Sequence, residues 1–206
     1  MMTAAIKREL IRVERDEGLR IVIVGSVVFY LLVSVVLLSA GPAEPSRWMA
    51  AQYILLSVSA PLAVSRLAAP DREEWVRQMA LGVESPWTST LARVGGGLFA
   101  VSPLLLASWP VIAMAWLMST ATAVELAALF IELVVFLMVT LGIAVFCTMG
   151  RWSPLPRWAA SVAISMGVWI LTFHVFDSSG AVLSILGAVV AGSLYLRSRD
   201  LVYLDG

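Results

Sequence analysis

The stretch IVIVGSVVFYLLVSVVLLSA, residues 21–40, holds twenty residues and not one charge. At about 1.5 Å of rise per residue, twenty helical residues reach about 30 Å, the thickness of a bilayer's hydrocarbon core. Inside hydrocarbon no water satisfies the backbone, so only a helix or a closed barrel can cross. The run does not alternate with period two, so the sequence predicts a helix. Five further apolar stretches follow, at Met49 to Ser65, Arg93 to Met118, Ala123 to Thr148, Trp158 to Phe176 and Ala181 to Leu196. The chain is 60% hydrophobic and 14% charged, against about 25% charged in ordinary soluble domains. These numbers predict an all-α polytopic membrane protein: six transmembrane helices in a single membrane domain covering residues 1–206. Pro61 in the second stretch and Pro103 and Pro110 in the third predict kinks or tilt.

The bases set an orientation. Of fourteen Lys and Arg residues, thirteen precede the first stretch, follow the sixth, or lie between the second and third or the fourth and fifth. Only Arg47 lies on the other side. Bases accumulate on the cytoplasmic face, so both termini are expected there, in an inner (cytoplasmic) membrane. Trp75, Trp87, Trp152 and Trp158 fall near that face, and Trp48 and Trp116 near the outer one, as interfacial tryptophans do. The leader carries Glu9, Glu14, Asp16 and Glu17 among its bases, unlike the basic leader of a cleaved signal peptide. Within residues 3–20, Ile6, Leu10 and Val13 recur at helical spacing, which predicts an amphipathic helix along the inner membrane surface. A solvated helical extension is the alternative.

The segment DREEWVRQMALGVESPW, Asp71 to Trp87, breaks the apolar pattern with six charges. Its acids suit a helix N-terminus, and Gly82 can end that helix. Ser85 reads as the N-cap of the next helix and Pro86 as its first residue. The short helix is amphipathic, with Trp75 and Met79 on one side and Arg72, Glu73 and Arg77 on another. It is shaped to touch something at the cytoplasmic surface; an ordinary solvated loop is the alternative.

An N-terminal interfacial helix, six spans, cytoplasmic ends and this charged helix together resemble the membrane (permease) subunit of a type-2 ATP-binding-cassette exporter. The motif lies in Asp71 to Glu74, the apolar Met79 to Leu81, Ser85-Pro86-Trp87 and the early base Arg93. The resemblance implies that residues 71–84 form a coupling helix. Asp71, Arg72, Glu73, Glu74, Trp75, Arg77, Met79 and Glu84 would then dock into a separate cytoplasmic nucleotide-binding ATPase subunit. It also implies half of a dimeric permease, completed by a second copy or a similar membrane subunit. Spans two and five would line the substrate path, which points to Gln52, Ser57, Ser59, Ser161, Ser165 and Thr172; hydrogen bonding between helices is the alternative for these. The short outer connection Asp177 to Gly180 points to a compact subtype, similar in size to the haem-maturation permeases.

The chain is not expected to hydrolyse ATP itself. A phosphate-binding loop needs a glycine-rich turn ending in Gly-Lys-Ser/Thr, and the sole lysine is Lys7. No cofactor is expected here, and ATP with magnesium is expected on the partner. Gly95 to Gly97 precede no lysine, so they read as a close helix contact or a hinge. Net charge is zero, which offers nothing to nucleic acid. One cysteine and one histidine, Cys147 and His174, build neither a disulfide framework nor a zinc site. Glu125 and Glu132 share a face of span four. Glu132 is a substrate contact, a gate or an interhelical hydrogen bond, and Glu125 lies close enough to the outer interface to reach it. His174 and Asp177 could pair at the outer end of span five. Two other functional classes remain: a non-transporting membrane scaffold or assembly subunit, and an intramembrane enzyme. The second is disfavoured because no span contains an aspartate.

Overall fold

The computed structural model describes residues 2–39, 45–68, 85–118, 122–149, 154–172 and 179–204. Every regular element among the described residues is a helix. In chain order they are α1 (Met2–Arg15), α2 (Glu17–Ser39), α3 (Pro45–Ala68), α4 (Pro86–Met118), α5 (Ala123–Thr148), α6 (Pro154–Ile170) and α7 (Ser179–Leu204). All six predicted apolar stretches are helical where they are described. Three helices contain a segment long and apolar enough to cross a membrane: Glu17–Val36, Trp87–Ala107 and Ala123–Thr148. Val182–Arg197 is a shorter apolar helix.

The packing has a centre and a rim. α3 and α5 pack on each other, and both touch α4 and α6; α5 also touches α7. Leu56, Leu104, Leu133, Phe136, Leu137 and Leu141 are fully buried where these helices meet. Burial separates the three candidate spans: the apolar window of α5 is 56% buried, whereas that of α2 is 22% buried. α2 therefore stands at the edge and turns Ile21, Val24, Val28, Leu32, Val35 and Val36 outward. Such a continuous apolar face belongs against hydrocarbon, since monomeric soluble proteins rarely carry one of this extent.

The glycine run is a close contact. A side-chain carbon on Gly97 would sit 2.8 Å from Leu141 Cδ2 and 3.0 Å from Val64 Cγ2. The absence of that carbon lets α4 lie tightly on α5 and α3. A side-chain carbon on Gly96 would meet Glu9 Cβ at 2.9 Å, so α1 rests on the neighbouring face of α4. Gly95 has open space. The helix also passes through Pro103. Proline has no N–H, so the Phe99 carbonyl loses its usual partner; the Ser102 hydroxyl donates to it at 2.7 Å.

The stretch 3–20 is divided at Asp16, and the division has a local cause. Asp16 Oδ1 accepts from the Leu19 N–H at 2.8 Å, which caps α2. Its other oxygen, Oδ2, lies 3.4 Å from Arg66 Nε at the end of α3. The Arg66 guanidinium lies across Gly18, where any side chain would collide with it. Asp16 thus joins α1, α2 and α3 at one corner. Asp16→Ala is expected to cost about 1 kcal/mol through the cap. The half-exposed ion pair adds between ~0 and ~1 kcal/mol. Asp16→Asn keeps a capping oxygen and should recover most of the loss. Thermal midpoints of the three proteins in one detergent would check this; equal losses for Ala and Asn would assign the effect to the ion pair.

Candidate functional site

The coupling candidates precede α4 in the chain. Asp71, Arg72, Glu73, Glu74, Trp75, Arg77, Met79 and Glu84 lie outside the described residues. The description resumes at Ser85, where the predicted cap is present. The Ser85 carbonyl accepts from the Ser89 N–H at 3.1 Å, and its hydroxyl oxygen accepts from the Thr88 N–H at 3.2 Å. Pro86 then occupies the first helical position, where its missing N–H costs nothing. One residue on, the Trp87 ring meets Tyr195 of α7 edge to face, with centroids 5.8 Å apart. Arg93, nearly two turns further, is 3% exposed.

α1 completes this end of the molecule. Glu9 is fully buried. Its Oε1 lies 3.1 Å from Arg12 Nη1 and 3.5 Å from Arg8 Nε. Ile6 and Leu10 are half-buried and Val13 is buried. The inward face of α1 is therefore a carboxylate flanked by apolar residues, and it packs on α4 beside the glycines. The hydrophobic pattern alone did not reveal Glu9 as an inner residue. The available signal was Glu9 followed by Arg12, a helical i,i+3 pair that can carry its own neutralisation.

The candidates inside the bundle separate into two groups. Ser57 donates to the Tyr53 carbonyl at 2.8 Å, Ser59 to the Leu55 carbonyl at 2.7 Å and Ser161 to the Arg157 carbonyl at 2.7 Å. Each hydroxyl is occupied one turn back on its own helix, the common fate of serine within a helix. Their donors serve structure. The second group differs. Ser165 of α6 and Thr172, two residues beyond its end, are completely buried, and their hydroxyls have no hydrogen-bond partner among the described residues. Gln52 is completely buried on α3; its Nε2 donates to the Leu104 carbonyl of α4 at 3.0 Å, and its Oε1 is unpartnered among the described residues. Buried polar atoms are usually satisfied, so each exception calls for a reason.

Glu132 is half-buried on α5, and α5 packs on the helix that carries Tyr53. The Tyr53 ring packs edge to face on Phe136 with centroids 5.1 Å apart. α3, α5 and α6 all touch one another, so Gln52, Tyr53, Glu132 and Ser165 occur on three mutually packed helices, with Thr172 two residues past the end of α6. Tyr53 was not among the sequence candidates, because nothing local distinguishes a tyrosine buried among helices, as Tyr53 is, from one that anchors at an interface. This set offers hydrogen bonds and one carboxylate. Among the described residues, no three His, Cys, Asp or Glu side chains are grouped to hold a metal ion.

Glu125 has a settled local role. Its N–H donates to Thr122 Oγ1 at 3.3 Å, and its Oε2 accepts from the Thr122 N–H at 2.8 Å. This reciprocal capping box starts α5, and its signal, Thr-x-x-Glu before an apolar run, was present in the sequence. His174 and Asp177 lie outside the described residues. No family model, curated protein or solved structure matches the chain.

Proposed function

We propose that this chain is the transmembrane subunit of an ATP-driven exporter. It forms half of the substrate path and couples to a separate nucleotide-binding subunit through Asp71 to Glu84. The reading includes six spans, cytoplasmic termini and a second membrane subunit, either another copy or a similar chain. The observation that carries it is the capped start of α4 at Ser85-Pro86-Trp87, directly after a charged amphipathic segment. A helix that begins at such a cap and runs into an apolar span could transmit a push from the cytoplasm into the bundle. Trp87 against Tyr195, and Glu9 against the α4 glycines, brace that end of α4 on two sides, which favours transmission over local give. The substrate-path proposal narrows to Gln52, Ser165 and Thr172, whose polar groups are not consumed by their own helix backbone, with Glu132 as the carboxylate on the adjoining α5.

The experiment is co-purification of the ATPase with charge-reversed and truncated variants. Glu73→Lys with Glu74→Lys should leave membrane insertion intact, because both residues lie outside the predicted spans. It should weaken ATPase capture by changing charge complementarity at the contact. Trp75→Ala should weaken capture by about 30-fold if its ring is a buried anchor, the loss typical of an aromatic hot spot. Glu44→Lys, in the predicted outer loop, should change neither. Wild-type capture and transport by the combined Glu73, Glu74 and Trp75 variant would sink the coupling proposal.

A further inference from the structure

A groove of about 420 Å³ opens between α2 and α4, closed at one end by the last turn of α1. Its walls are apolar: Ile23, Val24 and Val27 of α2 face Phe99, Ala100 and Pro103 of α4. From Leu19 to Val27, the groove follows α2 for about 12 Å by helical rise. One end differs in chemistry. Arg20 and Glu14 line it there, and the Arg20 guanidinium donates to the Glu14 carbonyl. The groove also merges with the outward apolar face of α2, where Val24 is 61% and Val28 50% exposed.

We infer that this groove holds a membrane phospholipid: one acyl chain along α2 and α4, with the lipid phosphate against Arg20. The charge pattern selects this occupant. A hydrocarbon trough that carries a cation beside a carboxylate at one end matches an acyl chain with a zwitterionic head, its phosphate on Arg20 and its ammonium toward Glu14. An extended protein segment would need partners for its backbone groups along the trough, and the walls offer almost none. The volume falls in the range of small-molecule sites, and the groove opens sideways to the surface from which a lipid would enter. The proposal is independent of the exporter reading: it requires only that α2 and α4 contact the bilayer.

Native mass spectrometry of the protein released from membranes of mixed phosphatidylethanolamine and phosphatidylglycerol would test it. The wild type should retain a phospholipid adduct. Arg20→Ala should reduce adduct occupancy about tenfold, near the lower end for losing a charge-assisted hydrogen bond. Val28→Trp, placed at the rim where the side chain is already half-exposed, should obstruct the groove and abolish the adduct. Val36→Trp, on the same outward face but outside the groove, should retain it. Unchanged phospholipid binding in both Arg20→Ala and Val28→Trp would overturn the proposal. So would conversion of a dimer to monomers by Val28→Trp with the phospholipid unchanged, because that result puts a second copy of the chain in the groove.

Discussion

Gly97→Leu should destabilise the bundle by about 3 kcal/mol, at the upper end of overpacking costs. The first added carbon already falls 2.8 Å from Leu141 Cδ2 and 3.0 Å from Val64 Cγ2. Leu141 cannot swing aside into water, because it is fully buried, and Val64 is 2% exposed. Neither has open space to enter, and Val64 is branched at Cβ and therefore stiff. Three further carbons must then push α4 away from α3 and α5. For a chain of this length the loss corresponds to a drop of roughly 6–12 °C in thermal midpoint. Gly95→Leu is the matched control, since nothing lies within 4 Å of a side-chain carbon there; leucine is also the better helix former. Thermal unfolding of both variants in one detergent would decide the matter. Equal midpoints would mean that Gly97 is not a contact.

Glu9→Lys should release α1 from α4. Glu9 has no exposed surface, while Arg8 and Arg12 retain 27% and 26% side-chain exposure. Reversing the charge places a third cation beside two others at a buried position. Breaking a buried pair costs about 3–5 kcal/mol. The arginines can turn partly to water, so about 2–3 kcal/mol is expected here. The direct readout is trypsin cleavage after Arg8, Arg12 and Arg15 in detergent-solubilised protein. The cut should accelerate many-fold in Glu9→Lys and only slightly in Glu9→Gln, which keeps the shape and can still accept a hydrogen bond. Unchanged protection in Glu9→Lys would show that α1 is held by its apolar contacts alone. Because Ser85 starts α4 close to where α1 rests, loss of this brace should also weaken any coupling through α4.

Some elements were legible because their causes are local. Residues 21–39 form helix because an unbroken apolar run must satisfy its own backbone. Ser85-Pro86 and Thr122-x-x-Glu125 start helices because a side-chain oxygen three positions away reaches an N–H that has no other partner. The glycine run was legible as a close contact, although not which of its three members makes the contact. Gly96 and Gly97 do, and Gly95 does not.

Other features had no local cause. Ser57, Ser59 and Ser161 satisfy themselves on their own helices, whereas Ser165 and Thr172 are buried with open donors; the residue types are the same. The difference depends on which neighbouring helix covers each hydroxyl and whether the turn behind it is available. Glu9 is similar. Its helical wheel permits either face, and only the fit of its Cβ over Gly96 sends a carboxylate inward with two arginines to neutralise it. By itself the sequence determined that the chain is helical and apolar, where the capped helices begin, and on which segments its charges fall. These follow from residues within about four positions of one another and from the cost of unpaired backbone in hydrocarbon. The tertiary structure alone decided which polar groups remain available, which glycines carry helix contacts, and that α1 rests on α4. Those outcomes are set by side chains dozens of residues apart meeting across a helix interface, and no periodicity along the chain encodes that meeting.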